Sequence, residues 1–266
     1  MEMVLEDDIK EIYKSIESSI KNMHGKTVLI TGAARRIGAV TAQLFHAAGY
    51  NLIMHYNRSA AAADKLCEQF NAQRADSCLL VQSDLNDMAG LDKIVDLVQS
   101  VGRLDVLINN ASSFYPTPLE NCDEQQWDDL IASNLKGPFF LSQKLAPMLI
   151  KAQGAIVNIS DMHARQALRN HPIYTVAKAG NIAMTKSMAL DLGPNVRVNS
   201  VAPGAILWPE HEEDDTDKQD SVLSKVPMGR LGTESDIAET AFFLAVNATY
   251  MTGQTIAVDG GSSNSL

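Results

Sequence analysis

Basic residues are scarce in this chain of 266 residues. Lysine and arginine together number 22 against 32 aspartates and glutamates, which gives a formal net charge of −10. A surface with this balance repels the phosphates of nucleic acids and of anionic membranes. We therefore expect neither a nucleic acid nor a membrane to be the main partner, although local basic residues can still bind phosphate groups.

Cysteines are also few. Cys67, Cys78 and Cys122 are odd in number and scattered, a pattern that indicates neither a disulfide framework nor a zinc site. The six histidines show no metal-ligand spacing with acids or cysteines, so no metal is predicted. No apolar run reaches about 18 residues, and the start of the chain carries acids throughout, unlike a signal peptide. These absences predict an enzyme of a reducing compartment, the cytoplasm.

Short apolar runs alternate with segments of helical length along most of the chain. The first run, Thr27–Ile30, is followed by a glycine, by helical spacing over Ile37–Ala48 and by a second run, Asn51–Tyr56. Strand-like runs recur at Cys78–Gln82, Leu104–Ile108, Ala155–Ile159, Val196–Val201 and Thr255–Val258. The pattern predicts the α/β class: a single Rossmann-type, doubly wound parallel sheet of seven strands with helices on both faces. With 45% apolar residues, one domain over residues 25–266 is expected.

Two segments do not belong to this alternation of strands and helices. Residues 1–24 place apolar side chains three and four positions apart. They predict an amphipathic N-terminal helix that packs on its own domain or a neighbouring subunit, or else binds a partner. Residues 210–220 carry seven acids and predict a mobile stretch within a substrate loop at about 205–225. This acidic stretch is either a solvated insertion or a lid over the site.

A glycine-containing turn follows the first strand and opens the first helix. Its sequence is Thr31-Gly32-Ala33-Ala34-Arg35-Arg36-Ile37-Gly38. In that context backbone N–H groups and the helix dipole can bind a pyrophosphate, so a dinucleotide site is predicted. A purely structural turn would need Gly32 alone. Arg36 stands where such loops usually have a glycine and places a cation beside the phosphates.

The residues after the second strand favour NADPH over NADH. A cofactor without a 2′-phosphate favours an acid at this place, which can accept hydrogen bonds from the ribose hydroxyls. The chain instead has His55-Tyr56-Asn57-Arg58-Ser59. The Arg58 guanidinium and the Ser59 hydroxyl can bind a 2′-phosphate, with Arg36 as a further cation. The alternative is that Arg58 is an ordinary solvated residue.

Tyr174 and Lys178 lie four residues apart in a helical segment and so share one helix face. The ammonium group can lower the pKa of the phenol, which makes the tyrosine a proton donor or acceptor near neutral pH. Thirteen residues before the tyrosine stands Asp161. This combination predicts proton transfer beside a nicotinamide cofactor.

The motifs together resemble the short-chain dehydrogenase/reductase family over residues 26–262. They are the glycine-containing turn, Asp84, Asn109-Asn110-Ala111, Asn134, Tyr174-x-x-x-Lys178, Pro203-Gly204 and Asp259-Gly260-Gly261. Within that family the chain is similar to pteridine reductases: Arg36 replaces the glycine, Asp161 replaces the usual serine, and segments 55–59, 110–118 and 203–210 look like that subgroup. The resemblance implies an NADPH-dependent reductase of pterins, extending to folates.

The resemblance also implies roles for individual residues. Asp161 keeps the Tyr174 phenol protonated or relays a proton to a ring nitrogen. Lys178 binds the nicotinamide ribose and tunes Tyr174, and Asn134 holds a water molecule. The alternatives are that Asp161 is a salt-bridge partner without catalytic duty and that Asn134 caps or bends its helix. The implied NADPH contacts are Gly32, Arg36, Ile37, His55, Tyr56, Asn57, Arg58, Ser59, Asp84, Leu85, Asn110, Ala111, Ser112, Tyr174, Lys178, Pro203, Gly204 and Ile206.

A flat pterin needs an aromatic face opposite the nicotinamide. Phe114 is the candidate because it follows a strand, on a loop at the carboxyl ends where ligands bind; the alternative is an ordinary core residue. The implied substrate contacts are Arg36, Ser112, Phe114, Asp161, Tyr174, Leu207 and Trp208. Trp208 can equally anchor the acidic stretch.

Two rival functions stay open. A 3-oxoacyl or other carbonyl reductase of the same family would keep a serine at position 161. A non-catalytic NADPH-sensing interaction protein would need neither Tyr174 nor Lys178. The Asp259-Gly260-Gly261 end resembles that of family members that form tetramers, so a homotetramer is expected.

Overall fold

The computed structural model describes residues 23–206 and 223–264. Seven strands form one sheet in the order β3-β2-β1-β4-β5-β6-β7, and every neighbouring pair is parallel. The strands are β1 (Thr27–Ile30), β2 (Asn51–Tyr56), β3 (Cys78–Gln82), β4 (Val106–Asn109), β5 (Ala155–Ile159), β6 (Arg197–Pro203) and β7 (Thr255–Val258). The predicted fold class is confirmed.

Helices connect the strands. They are α1 (Arg36–Ala47), α2 (Ala60–Gln73), α3 (Met88–Val101), α4 (Glu124–Ile131), α5 (Gly137–Ala152), α6 (Pro172–Leu192) and α7 (Glu234–Phe242). A π-helical turn, Ala132–Lys136, joins α4 to α5, a second, Phe243–Asn247, follows α7, and 3-10 turns lie at Met162–Ala164 and Ser262–Asn264.

The central strands are buried on both faces, which explains why they are continuous apolar runs. In β1, Val28 and Ile30 belong to the core that α1 and α7 cover, with Phe45 as a large member. Leu29 belongs to the opposite core, which α3, α5 and α6 cover. Burying each of these side chains stabilises the fold by about 1.5–3 kcal/mol.

Local signals in the sequence set where several helices begin and end. Asp123 caps α4 and Thr233 caps α7, each in a reciprocal capping box with the residue three positions later. Asp87 caps α3, which ends at Gly102 in the left-handed conformation. Among the described residues, no side-chain hydrogen bond caps the start of α1 at Arg35. The N–H groups of a first helical turn without such a cap can bind an anion.

The predicted strand boundaries agree closely with those observed. β4 begins two residues later than expected, and β6 extends to Pro203. Of the predicted N-terminal helix only Met23 and His24 fall within the described residues, where they form a turn. The acidic stretch and most of the substrate loop lie outside the described residues. Within the described ranges, no helix has both the length and the apolar character that crossing a bilayer requires.

Candidate active site

A cavity of about 880 Å³ opens at the carboxyl ends of the strands. This is the edge where ligands bind in open α/β sheets, at the point where the strand order reverses between β1 and β4. The structure brings all predicted cofactor residues to its wall: Gly32, Arg36, Ile37, His55, Tyr56, Asn57, Arg58, Ser59, Asp84, Leu85, Asn110, Ala111, Ser112, Tyr174, Lys178, Pro203, Gly204 and Ile206.

The glycine-containing turn after β1 is held by the loop after β4. The Thr31 hydroxyl accepts hydrogen bonds from the backbone N–H groups of Asn110 and Ala111, at 2.9 and 3.0 Å. The Asn110 side chain in turn donates to the carbonyls of Thr31 and Gly32. Gly32 has a φ of +64°, and a Cβ added there would lie 3.0 Å from the Cα of Ala111. The position therefore requires glycine.

His55 supports the same turn from β2. Its Nδ1 accepts the backbone N–H of Gly32 at 3.2 Å, so the proton resides on Nε2, which donates to the carbonyl of Ser83 at 3.1 Å. Burial lowers the pKa of His55, in agreement with a neutral ring. Both ring nitrogens are thus used within the protein. The structure gives His55 the role of fixing the turn, and leaves neither ring nitrogen for a direct polar contact with a cofactor.

Arg36 begins α1 in the left-handed conformation, with a φ of +50°. Its guanidinium donates to the carbonyl of Ile206, in the loop after β6, at 3.4 Å. The side chain therefore extends from the turn toward the opposite wall of the cavity. A cation is placed beside the uncapped N–H groups of α1, a setting that favours a phosphate.

The segment after β2 supplies Asn57, Arg58 and Ser59 to the cavity wall. Arg58 is exposed, and Ser59 immediately precedes α2. No carboxylate follows this strand before the helix. The end of the cavity at β2 therefore presents a guanidinium and a hydroxyl, which are donors for a phosphate.

Tyr174 and Asp161 are directly bonded. Tyr174 is on α6 and 4% exposed, and its hydroxyl donates to Oδ2 of Asp161 at 2.7 Å. Asp161 directly follows Ser160 at the end of β5, where it caps the 3-10 turn. Its Oδ1 accepts the backbone N–H and faces the ring Nδ1 of His163, both at 2.8 Å. Within the described part of the chain, the hydrogen bonds to this carboxylate come from Tyr174 and His163.

The charges of this pair follow from its surroundings. Burial pushes the pKa of Asp161 upward, but hydrogen bonds and charge from His163, together with the Tyr174 hydrogen bond, outweigh it and hold the pKa below the ordinary value. Burial, followed by the Asp161 carboxylate, raises the pKa of Tyr174 well above its ordinary value. The prediction that the pKa of Tyr174 is lowered is therefore wrong. The phenol is kept protonated, as a proton donor.

Lys178 lies one turn further along α6, with its ammonium 5.6 Å from the centre of the Tyr174 ring. Its Nζ donates to the carbonyl of Ile159 at 2.9 Å. Burial lowers its pKa to about 8, although the negative charge of Asp161 acts in the opposite direction. The lysine is cationic below that pH and borders the same cavity.

Asn134 lies behind the cavity wall, in the π-helical turn between α4 and α5. Its side chain donates to the carbonyls of Leu130 and Ser113, and its Oδ1 accepts the hydroxyl of Ser112 at 2.6 Å. Its carbonyl accepts a hydrogen bond of 3.3 Å from Asn181. The bond to Leu130, four residues earlier, belongs to the alternative in which Asn134 bends its helix. The bonds of Asn134 to Ser112 and Ser113 join that helix to the loop after β4.

Phe114 lies at the mouth of the cavity and is 56% exposed. One face of its ring stacks on His171 with centroids 4.7 Å apart and planes within 5°, and Tyr174 lies edge-on at 4.8 Å. Phe114 is therefore not a core residue. It forms an aromatic wall beside the ring of Tyr174.

Some site residues were not found from the sequence. No role is predicted for His163 or His171 from the sequence, but the first is bonded to Asp161 and the second supports Phe114. Asp129 also lines the cavity and accepts hydrogen bonds from Tyr115 and Asn86. Of these contacts, the sequence could have suggested only the one between His163 and Asp161, because these two residues lie close together in the chain. The predicted substrate residues Leu207 and Trp208 lie outside the described residues.

Comparisons with known proteins extend along nearly the whole chain. A family model described as enoyl-(acyl carrier protein) reductase matches residues 32–263. The chain is 37% identical over 240 residues to a 3-oxoacyl-(acyl-carrier-protein) reductase of Staphylococcus aureus, covering 89% of this chain and 97% of that one. A protein of the same name from Thermotoga maritima is 37% identical over 245 residues, covering 90% and 98%. Pteridine reductase 1 of Leishmania tarentolae is 35% identical over 277 residues, covering 88% and 95%.

Proposed function

The chain belongs to the short-chain dehydrogenase/reductase family, and on that premise we propose that this oxidoreductase is an NADPH-dependent pteridine reductase. The reaction is hydride transfer to a ring C=N bond of a dihydropterin, or of a folate with the same ring, giving the tetrahydro form. The proposal rests on one observation above all, the hydrogen bond between Tyr174 and Asp161.

A carboxylate beside the proton donor suits C=N reduction better than carbonyl reduction. Reducing a carbonyl develops negative charge on an oxygen next to the tyrosine, and an adjacent carboxylate opposes that charge. Reducing a C=N bond requires a proton on nitrogen, and Asp161 keeps the Tyr174 phenol protonated for that purpose. The position thus favours a substrate that is protonated on nitrogen.

The wall of the cavity suits a flat ring. The Phe114 ring is held by His171 on one face and is exposed enough to contact a ligand. An aromatic ring system gains both apolar burial and stacking against such a face. A pterin placed beside Phe114 would have its ring nitrogens within the same part of the cavity as Tyr174.

The residues present fit NADPH. The uncapped start of α1 and Arg36 would hold the pyrophosphate, and Arg58 with Ser59 would hold the 2′-phosphate. Lys178 would donate to the ribose next to the nicotinamide. When bound, the cofactor supplies the hydride. Tyr174 supplies the proton to the ring nitrogen, Asp161 orients its hydroxyl, and Phe114 holds the ring in place.

A second candidate is a 3-oxoacyl-(acyl-carrier-protein) reductase. It is favoured by the two bacterial relatives of that name, which are 37% identical to the chain, against 35% for the pteridine reductase. A difference of this size does not distinguish the two activities. Asp161 disfavours this candidate, because its carboxylate, an anion, is hydrogen-bonded to the tyrosine hydroxyl.

We also propose that the chain forms a homotetramer. The long helices α5 and α6 carry large apolar side chains on their surface: Phe139 is 41%, Val176 48% and Leu190 83% exposed. Burying such side chains against further copies of the chain would remove apolar area from water. Sedimentation velocity over a range of concentrations measures the mass, and a monomer throughout would contradict the proposal.

The function is tested by following NADPH consumption with dihydrobiopterin, dihydrofolate and an acetoacetyl thioester in parallel. Turnover of the pteridines without the thioester is the expected result. Turnover of the thioester alone would overturn the proposal in favour of the second candidate. NADPH binding without turnover of any of the three would favour a non-catalytic role.

A further inference from the structure

We propose that His163 is a positioning residue of the proton-transfer site, which holds the Asp161 carboxylate toward Tyr174 and connects it to solvent. This inference rests on the proposed function, because it concerns the protonation step of that reaction. Neither the turn that carries His163 nor the contact of its ring with Asp161 was expected from the sequence.

The contacts of the carboxylate are divided between its two oxygens. Oδ1 faces the ring Nδ1 and accepts the backbone N–H of His163, each at 2.8 Å, while Oδ2 accepts the Tyr174 hydroxyl at 2.7 Å. Rotating the carboxylate would break these contacts together. The imidazole therefore fixes which oxygen meets the tyrosine.

Exposure decreases along the same line of contacts. The side chain of His163 is 24% exposed and that of Asp161 20%, whereas Tyr174 is 4% exposed. The imidazole is thus the member of the chain of contacts that reaches solvent most. Either ring nitrogen of an imidazole can carry a proton, so His163 can pass a proton from water to the carboxylate.

Among residues 23–206 and 223–264, three titratable groups face the carboxylate. His163 comes from the 3-10 turn, and Tyr174 and Lys178 come from α6. When Tyr174 gives its proton to the substrate, the phenolate left behind lies against a carboxylate, and two like charges at this distance repel strongly. A protonated His163 removes the repulsion by passing its Nδ1 proton to Asp161.

The protons balance over one turnover. One leaves Tyr174 for the ring nitrogen, and one moves from His163 to Asp161. To restore the starting state, the proton on Asp161 passes to Tyr174, and solvent returns one proton to His163. Both the position of the carboxylate and the charge of the imidazole therefore contribute to the step.

Two substitutions separate these contributions. His163→Asn places an amide N–H near the position of Nδ1 and keeps the donor without the titratable charge. His163→Ala removes both. His24→Asn is the matched control, since His24 is exposed and lies away from the cavity. The kcat and KM for dihydrobiopterin and NADPH are measured against pH, below the range in which Lys178 loses its proton.

In the wild-type protein and in His24→Asn, kcat should fall as the pH rises. His163→Asn should lack that fall. His163→Ala should lose about tenfold or more in kcat, with the KM for NADPH within about twofold, since general acid–base groups contribute at least that much. Superimposable profiles for the wild type and both His163 variants would overturn the proposal.

A second measurement does not depend on turnover. Carbon-13 NMR of labelled aspartate side chains follows the ionisation of Asp161, whose signal is assigned by its loss in Asp161→Asn. The midpoint should rise by about one pH unit or more in His163→Ala, because a hydrogen-bonded cation is removed. An unchanged midpoint would overturn the inference. Absence of pteridine turnover combined with the expected midpoint shift would reject the proposed substrate and retain the His163–Asp161 coupling.

Discussion

Tyr174 donates a hydrogen bond of 2.7 Å to Asp161, so the proton donor of the site is bonded to an anion. Asp161→Ser replaces that anion with a neutral hydroxyl on a shorter side chain. We expect kcat for dihydrobiopterin to fall by about 100-fold or more, the range for loss of a proton-transfer group. Fluorescence titration should show NADPH affinity within about twofold of the wild type. An unchanged kcat would contradict the role of Asp161.

Removing the phenol hydroxyl tests the donor itself. Tyr174→Phe should abolish turnover of every substrate and leave NADPH binding intact, because the ring and its packing against Phe114 remain. Stopped-flow mixing with dihydrobiopterin and a fluorescence titration measure the two properties. Tyr250→Phe is the control, since Tyr250 is fully exposed. Loss of turnover and of NADPH binding together would mean that Tyr174 has a different role.

Arg58 tests the cofactor preference. Under the proposed function Arg58→Asp replaces a donor to the 2′-phosphate with an acceptor for ribose hydroxyls. The ratio of kcat/KM values should therefore shift toward NADH by about 100-fold, if one charged hydrogen bond and one repulsion are exchanged. Lys65→Asp makes the same change of charge on the exposed surface of α2 and should leave the ratio within about threefold. Equal ratios in the two variants would show that Arg58 does not contact the phosphate.

Phe114 tests the aromatic wall. Phe114→Leu keeps an apolar side chain but removes the ring that stacks on His171. The KM for dihydrobiopterin should rise about fivefold, since a stacked aromatic pair contributes on the order of 1 kcal/mol beyond its apolar area. Phe243→Leu, at an exposed phenylalanine outside the cavity, is the control. Equal KM values in the two variants would place the substrate elsewhere.

The lowered pKa of Lys178 predicts that the free energy of unfolding depends on pH. Burial lowers its pKa to about 8 from 10.5, so above pH 8 the unfolded chain binds a proton that the folded chain does not. The contribution of Lys178 to the free energy of unfolding should therefore rise with pH between these values, by on the order of 3 kcal/mol at most. Urea unfolding at about pH 7.5 and 9.5 measures this change.

The comparison for that experiment is Lys178→Met, which removes the titration and keeps an apolar stem. Cys78, whose buried thiol has a raised pKa, acts in the opposite direction and is common to both proteins. The difference in unfolding free energy between wild type and variant isolates the lysine. If that difference does not change with pH, the ammonium is not desolvated in the folded protein.

Most of the fold was predictable because its signals are local. Strands buried on both faces, such as β1 and β4, are short apolar runs, and these mark a parallel sheet directly. The start of β4 was misplaced because Leu104 and Asp105 are buried like the strand that follows. The Asp105 carboxylate accepts the backbone N–H of Thr27, and regular pairing with β1 begins one residue later, at Val106. Periodicity does not distinguish those two uses of a buried residue.

The cavity wall was predictable wherever a residue belongs to a motif tied to a strand end, as Gly32 and Arg58 do. Contacts that depend on side-chain orientation were not. The ring of His171 reaches Phe114 across fifty-seven positions of sequence, and no periodic pattern connects the two. The pKa of Tyr174 was predicted in the wrong direction, because spacing reveals the lysine one turn away but not the burial that outweighs it.

Arg36 has a φ of +50° at the start of α1, where an L-residue with a side chain is disfavoured by about 1–2 kcal/mol relative to the right-handed conformation. Glycine would adopt the same backbone almost without cost. Under the proposed function Arg36 also binds the cofactor phosphates, so thermal stability and phosphate binding are opposed at this position. A glycine variant should be more stable and should bind the cofactor more weakly. A screen for thermostability alone would therefore select it.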